Sequence, residues 1–401
     1  MTDSRYFDAQ SSRIPALGRE ELQLIRPRYL WHFTLAIVLW TSLLAVTTLI
    51  IDPYGISPIR ITIPHINRYK PKRLDIDRLI KPYEVWRYQP RTVFLGTSRI
   101  HQSIDPAVLD GTRYAPAYNA SVPAVSLGMN ISYLNLYLQL DRNLRYVFVE
   151  LFLYNFLGQG QDHPRISLTE MRKNTATLFF SYDTAWDTFV TLAYNIGANR
   201  PCYEIKPGGS FYYPPGHDAK GAFDGFPVGM WGIDRLEHGN PTLNDSAFAA
   251  VGELIETARR NHIKLTFLMT PEHPYFWYYI DSIDRWDLIT DWLTRLTAKT
   301  SILSFAQPNA WVYEPVQHHM IYWNDPFHFS LAMGRGIETS LAGSPETDLP
   351  KDFMISLTPA GVERFISSQR AAVRSWSRDH PDFVAAFDAE KTRTKAPEGF
   401  Q

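Results

Sequence analysis

Hydrophobic residues along this chain follow three different rhythms. From residue 29 to 51 there is no Asp, Glu, Lys or Arg, and as a helix that run is long enough to cross a hydrocarbon layer of about 30 Å. A signal peptide has a shorter apolar stretch and an early small-residue cleavage site, whereas this run passes into Ile50-Ile51-Asp52-Pro53-Tyr54-Gly55. The pattern therefore predicts an uncleaved anchor, with a buried N-terminal core helix as the alternative. A second rhythm is the short apolar run bounded by turn or polar residues, which predicts strands at 92–95, 114–119, 146–152, 264–269 and 301–305. The third is helical. Leu127, Ile131, Leu134 and Leu138 share one side of 125–140, and Phe248, Val251, Leu254 and Ile255 do the same in 247–260. The second of these helices has Asn244-Asp245-Ser246 as a cap and Asn261-His262 as a stop. Strand and helix in alternation imply an α/β fold, a parallel sheet with helices on both faces.

The same pattern divides the chain. Residues 1–28 form a polar tail, 29–51 the transmembrane helix, 52–90 a basic Pro-rich connector, 91–345 the α/β domain and 346–401 a C-terminal helical extension. Residues 157–243 interrupt the alternation with pieces such as Lys206-Pro207-Gly208-Gly209 and Pro214-Pro215-Gly216. They are expected to be an insertion packed over the ligand edge of the sheet. The connector's Lys and Arg residues either rest on anionic headgroups or form a solvated lead-in.

Composition narrows the function classes. A net charge of -1, from 40 basic and 41 acidic residues, gives no reason to expect nucleic acid as a partner. Cys202 is the one cysteine, so neither an intrachain disulfide nor a thiolate zinc cluster is available. No Gly-rich phosphate cradle or His-rich metal cluster stands out, and no cofactor is expected. Arg19, Arg26 and Arg28 precede the span while Arg60, Arg68 and Lys70 follow it, so charge alone does not assign the sides. A short tail, one span and a large globular part is a common export arrangement, which would place the globular part outside the cytoplasm.

Val93-Phe94-Leu95-Gly96-Thr97-Ser98-Arg99 is a buried strand running into a hydroxyl turn, which sets Ser98 at the carboxyl edge of the sheet, where open α/β folds hold ligands. Gly-Thr-Ser after a strand is also an ordinary turn or helix N-cap. Far downstream, Asn324-Asp325-Pro326-Phe327-His328 sets an acid and an imidazole three positions apart. A hydroxyl, a base near neutrality and a carboxylate to orient it are the parts of an acyl-transfer site. Asn119 and the backbone amides near it are candidate oxyanion donors. Arg99 either binds an anionic substrate group or faces solvent, and His273, in Thr270-Pro271-Glu272-His273-Pro274, is a substrate contact, a second base or a simple loop residue.

Gly96-Thr97-Ser98-Arg99, Asn119-Ala120-Ser121 and Asp325-Pro326-Phe327-His328, in that order, resemble the first, second and last blocks of the SGNH (GDSL-like) hydrolase superfamily. The chain is similar to its membrane-anchored bacterial branch, that of the alginate O-acetylation proteins and the D-alanyl transfer protein of teichoic acid synthesis. The resemblance covers most of residues 30–335 and implies a flavodoxin-like sheet, with Ser98 as nucleophile, His328 as base and Asp325 as its partner. It further implies a bacterial inner-membrane protein acting as esterase or O-acyltransferase on an envelope glycan or lipid-linked polymer, with a polytopic membrane protein as possible acyl donor. A non-catalytic binding or assembly protein on the same fold is the alternative. Two departures stand out. Ala120 and Ser121 occupy the place of the second block's glycine, and Glu150-Leu151-Phe152-Leu153-Tyr154-Asn155 replaces the third block, leaving Asn155 as a substitute donor or an ordinary loop residue.

Overall fold

Apolar runs that must be buried on both faces pair in parallel here, with a last strand added antiparallel at one edge. The structure, a computed structural model, describes residues 19–59, 61–157, 167–197, 204–205, 208–212, 217–224, 242–344 and 348–394, with backbone alone at 19–27, 204–205, 211–212 and 390–394. Its strands are β1 (Thr92–Leu95), β2 (Ala117–Asn119), β3 (Tyr146–Glu150), β4 (Glu204–Ile205), β5 (Phe211–Tyr212), β6 (Lys264–Met269), β7 (Ile302–Ser304) and β8 (Ile355–Leu357). Six form one sheet in the order β2-β1-β3-β6-β7-β8, parallel except for β8, and β4 pairs with β5 in a separate antiparallel hairpin. The helices are α1 (Arg19–Ile51), α2 (Asp77–Tyr88), α3 (Ser98–Ser103), α4 (Leu127–Leu140), α5 (Leu168–Phe180), α6 (Tyr182–Gly197), α7 (Ala219–Asp224), α8 (Asp245–Arg260), α9 (Pro274–Ser282), α10 (Trp286–Thr297), α11 (Leu331–Ala342), α12 (Val362–Asp379) and α13 (Pro381–Thr394).

Side chains alternate across each strand, and that period of two builds two cores. Val93, Leu95, Val147 and Val149 point to one face, where α4, α8, α10 and α12 bring Leu134, Val251, Leu254, Leu293 and Phe365. Phe94 and Phe148 point to the other, stacked at 4.9 Å, and meet Ile100 of α3 and Met333 and Ile337 of α11. Register is continuous across the centre: Val93 lies opposite Tyr118 on β2 and Val147 on β3. The chain steps from β1 out to β2, then back across to β3, so the carboxyl ends of β1 and β3 flank the point where the winding changes direction. In open α/β sheets that is the ligand crevice.

Three expectations change. The edge strand β8 comes from the segment read as a purely helical extension, since three residues paired to β7 are too short a run to stand out. The connector is partly built into the fold, while its Arg68 stays exposed. Lys70 donates to the Ile51 carbonyl at the end of α1 (2.8 Å), and Asp52 caps the turn that follows by accepting from the Ile56 and Ser57 amides (2.8 and 3.0 Å). Arg73 is buried and bonded to the Tyr54 carbonyl (2.8 Å) and Glu84 (2.5 Å). Arg60 and residues 1–18 lie outside the described residues. Among the described residues, the later part of 157–243 reaches the ligand edge, through Gly208, whose carbonyl accepts from the Asn119 amide at 2.8 Å, and through His217, whose Nε2 lies 2.8 Å from the Asn324 carbonyl. The earlier part, the α5–α6 hairpin, packs instead on α1 and α2. Within α1, Arg28–Ile51 is a 24-residue stretch long and apolar enough to cross a membrane, about 36 Å at ~1.5 Å per residue.

α3 and α11 cross so closely that a β-carbon at Gly334 would overlap the Ser103 carbonyl oxygen. Gly334→Ala is therefore expected to force the two helices apart and to destabilise the chain by about 1–3 kcal/mol, the usual range for overpacking. Denaturant unfolding of the detergent-solubilised protein checks this, and an unchanged midpoint would contradict it.

Candidate functional site

β1 is followed by Gly96, where a β-carbon would collide with Ile100 and with the Glu150 side chain. Thr97 is the N-cap of α3, its hydroxyl accepting from the Arg99 amide at 3.3 Å, and Ser98 is the first helical residue. The turn is thus an N-cap as well as a place to present a hydroxyl: Gly96, Thr97 and Arg99 are buried and only Ser98 is reached by solvent.

Asp325 and His328 sit on a tight hairpin closed by a bridge between Trp323 and Phe329, both buried. Asp325 Oδ1 accepts from the Phe327 and His328 amides, each at 2.8 Å, which folds the loop around the carboxylate. Its Oδ2 lies 2.7 Å from His328 Nδ1, and His328 Nε2 lies 2.8 Å from Ser98 Oγ. The row is continuous across 230 residues of sequence. With the Nδ1 proton directed at the carboxylate, Nε2 is left to accept the Ser98 proton, the tautomer assigned from these bonds. The His328 hydrogen bond, its positive potential and the loop amides together hold the Asp325 carboxyl below its ordinary range, outweighing burial, the largest single influence, which acts the other way. Ser103 Oγ donates to the Phe329 carbonyl, fastening α3 to the hairpin.

The other candidates are placed elsewhere. Asn119 is no oxyanion donor: its amide is buried and donates to the carbonyls of Ile100, His101 and Ile104 (2.9, 3.3 and 3.0 Å), closing the end of α3. Ala120 is spent as well, its amide bonded to the Phe94 carbonyl at 3.0 Å. Arg99 meets neither substrate nor solvent. It lies buried between Glu150 (3.4 Å) and Glu272 (2.7 Å), with Phe152 at 4.6 Å from its guanidinium. His273 is buried too, its Nδ1 accepting from the Tyr275 amide at 3.3 Å to cap α9, and its ring is caged by Phe223, Tyr275 and Trp323. Asn155 Nδ2 is buried with no hydrogen-bond partner among the described residues. Asn155 follows Phe152 and Tyr154, and both of those rings pack against Phe327, the neighbour of His328.

What sequence reasoning missed is Glu150. This carboxylate is fully buried at the end of β3; its Oε2 accepts from the Thr97 amide (2.7 Å) and hydroxyl (2.8 Å), and its Oε1 from the Thr270 hydroxyl (3.1 Å). A charge closing an otherwise apolar strand, Val147-Phe148-Val149-Glu150, was the available signal. Burial pushes the nearby Glu272 carboxyl up to about 7, with Arg99 opposing the rise. A second buried group lies under α3. His101 Nε2 is 2.7 Å from Asp77, and Lys81 donates to the carbonyls of Asn119 and Gly209 (2.7 and 3.0 Å).

Replacing Glu150 by Gln keeps the shape but removes the charge opposite Arg99 and turns an amide towards the Thr97 donors. A loss of about 3 kcal/mol or more is expected, the size seen when a buried pair is broken, and a denaturant midpoint within error of wild type would refute it. Burial pushes His273 down to about 3, so between pH 6.5 and 3 the unfolded chain binds a proton that the folded chain does not, and stability falls as pH falls. His273→Gln removes that contribution. Its stability relative to wild type is expected to improve by about 1.4 kcal/mol per pH unit on going from pH 6 to pH 4, checked by unfolding both proteins at the two pH values. No family model matches the chain, nor does any curated protein or solved structure at a significant level, and the resemblance to SGNH hydrolases stands on the three motifs.

Proposed function

We propose that this protein is a membrane-anchored serine esterase or O-acyltransferase of the SGNH type, acting on an acylated glycan or polymer of the bacterial envelope. The observation that carries the reading is the unbroken row Asp325–His328–Ser98, with contacts of 2.7 and 2.8 Å on a hydroxyl that solvent reaches. Ser98 Oγ attacks the acyl carbonyl while its proton passes to His328 Nε2, and the imidazolium is stabilised by Asp325. His328 then returns the proton to the departing alkoxide, leaving an acyl-Ser98. Water or an acceptor hydroxyl, deprotonated by the same imidazole, releases the acyl group. The strand order supports the fold assignment, since the parallel strands, counted in chain order, run 2-1-3-4-5 as in flavodoxin-like sheets. The apolar stretch Arg28–Ile51 supports a single-pass anchor, and a short tail, one span and a large globular part suit an inner-membrane protein with its domain on the extracytoplasmic side. Transfer, as opposed to hydrolysis, calls for an acyl donor at the membrane, a role that suits a polytopic partner.

One observation favours a second reading, a non-catalytic binding protein on the same fold. The amides of Ala120, Ser121 and Val122 are all committed within the fold, which leaves Asn155 Nδ2 as a side-chain donor on the neighbouring loop with no partner among the described residues. Loss of an oxyanion donor costs about 10²–10³ in rate. A fluorophosphonate probe separates the two. The enzyme reading expects labelling that Ser98→Ala abolishes and that Asp325→Asn slows by on the order of 10³–10⁴. Absence of labelling in the folded wild-type protein would leave the binding-protein reading.

A further inference from the structure

Helix α6 is amphipathic the wrong way round for a helix in water. The face it buries is polar: Thr184, Thr188, Thr191 and Asn195 recur at helical spacing and are all covered. Thr188 meets Thr48 of α1, hydroxyl to hydroxyl at 3.2 Å, and Asp187 accepts from Tyr54 at 2.8 Å. Asn195 exchanges hydrogen bonds with both the amide and the carbonyl of Tyr69, at 2.8 and 2.9 Å. The face it leaves open is aromatic and aliphatic. Tyr182, Trp186, Phe189 and Ile196 follow the same spacing, Phe180 stands at the tip of the hairpin, and their exposures run from 54% at Phe189 to 82% at Tyr182. From Trp186 to Gly197 no charged side chain lies on that open face.

Hydroxyl and amide side chains between helices, with apolar ones outside, is how helices pack in a bilayer, where the surroundings are as apolar as leucine. Location agrees with chemistry. Thr48 lies in the last turn of the apolar stretch Arg28–Ile51, so a bilayer around α1 reaches α6 at the level of the headgroups. Tyr and Trp concentrate at that level, because their rings have an apolar body and a polar edge. We propose that the α5–α6 hairpin is a second membrane element, a foot whose aromatic face beds into the lipid interface beside the end of α1. The inference rests on the membrane-anchored reading of α1 and goes beyond it: it assigns the bilayer to a segment that no long apolar run marks. α5 in turn packs on α2, which contacts α4 of the α/β domain, so the foot fixes how the domain stands on the membrane.

The test uses the full chain with Cys202→Ser as background, reconstituted into phosphatidylcholine–phosphatidylglycerol vesicles made with and without brominated acyl chains. An environment-sensitive fluorophore is attached at Phe189→Cys, at Ile196→Cys, at Leu39→Cys within α1, and at Lys173→Cys on the exposed side of α5. Brominated lipid is expected to quench the label at positions 189, 196 and 39 and to spare the label at 173, while aqueous iodide quenches only 173. Iodide reaching 189 and 196 would overturn the proposal by placing the face in water. Neither quencher reaching them, with 39 still quenched by lipid, would overturn it by placing protein over the face. Failure at 39 as well would remove the anchor reading itself.

Discussion

The structure around the candidate site depends on one buried charge, the carboxylate of Glu150. It reaches from β3 to the turn after β1 through Thr97 and to the segment after β6 through Thr270, so three strand ends at the crevice share one acceptor. Its ion pair with Arg99 holds the first turn of α3 against the sheet. A carboxylate with no exposure is costly to bury, and the arrangement is stable only because its oxygens accept from donors of fixed geometry and face a guanidinium. The same requirement explains Gly96, since any side chain there would occupy the space that Glu150 needs. The position of Ser98 is in this sense set by a residue that makes no hydrogen bond to its side chain.

A comparable logic joins the membrane-proximal segment to the α/β domain. Arg73, Asp77, Lys81 and Glu84 bring two positive and two negative charges into the space between the connector, α2 and β2, with His101 and Tyr118 completing the set. Burial and the neighbouring Arg73 and Lys81 keep His101 below its usual range despite the Asp77 hydrogen bond, while the surrounding cations and His101 keep Asp77 at about 2. Burial also lowers Lys81 to about 8. These ties fasten α2 and the residue pair Arg73–Asp77 before and within it to the edge of the sheet.

Legibility from sequence followed how local the signal was. The strands at 92–95 and 264–269 have their expected bounds, and α8 carries Asn244 as its cap and Asn261 as its stop. Residue types and spacing singled out Ser98, Asp325 and His328, and the structure brings the three into one hydrogen-bonded row. Asn119 and Arg99 were misread for one shared reason: polar residues at a ligand edge are also the ones that close helix ends and pair buried charges, and only three-dimensional neighbours separate these uses. The tying-down of the connector was not legible because Pro and basic residues describe a loop equally well when cations such as Lys70 and Arg73 are spent on carbonyls and carboxylates. In α6 the periodicity was present, but its polar side is the inner one, which a rule written for water assigns backwards.

The crossing of α3 and α11 at Gly334 has a consequence in time. Ser98 meets His328 only when a segment synthesised more than two hundred residues later has docked. A chain still emerging from the ribosome therefore holds an ordinary serine. The row Asp325–His328–Ser98 comes into being only once α11 and the hairpin before it have docked on α3, late in the assembly of the fold.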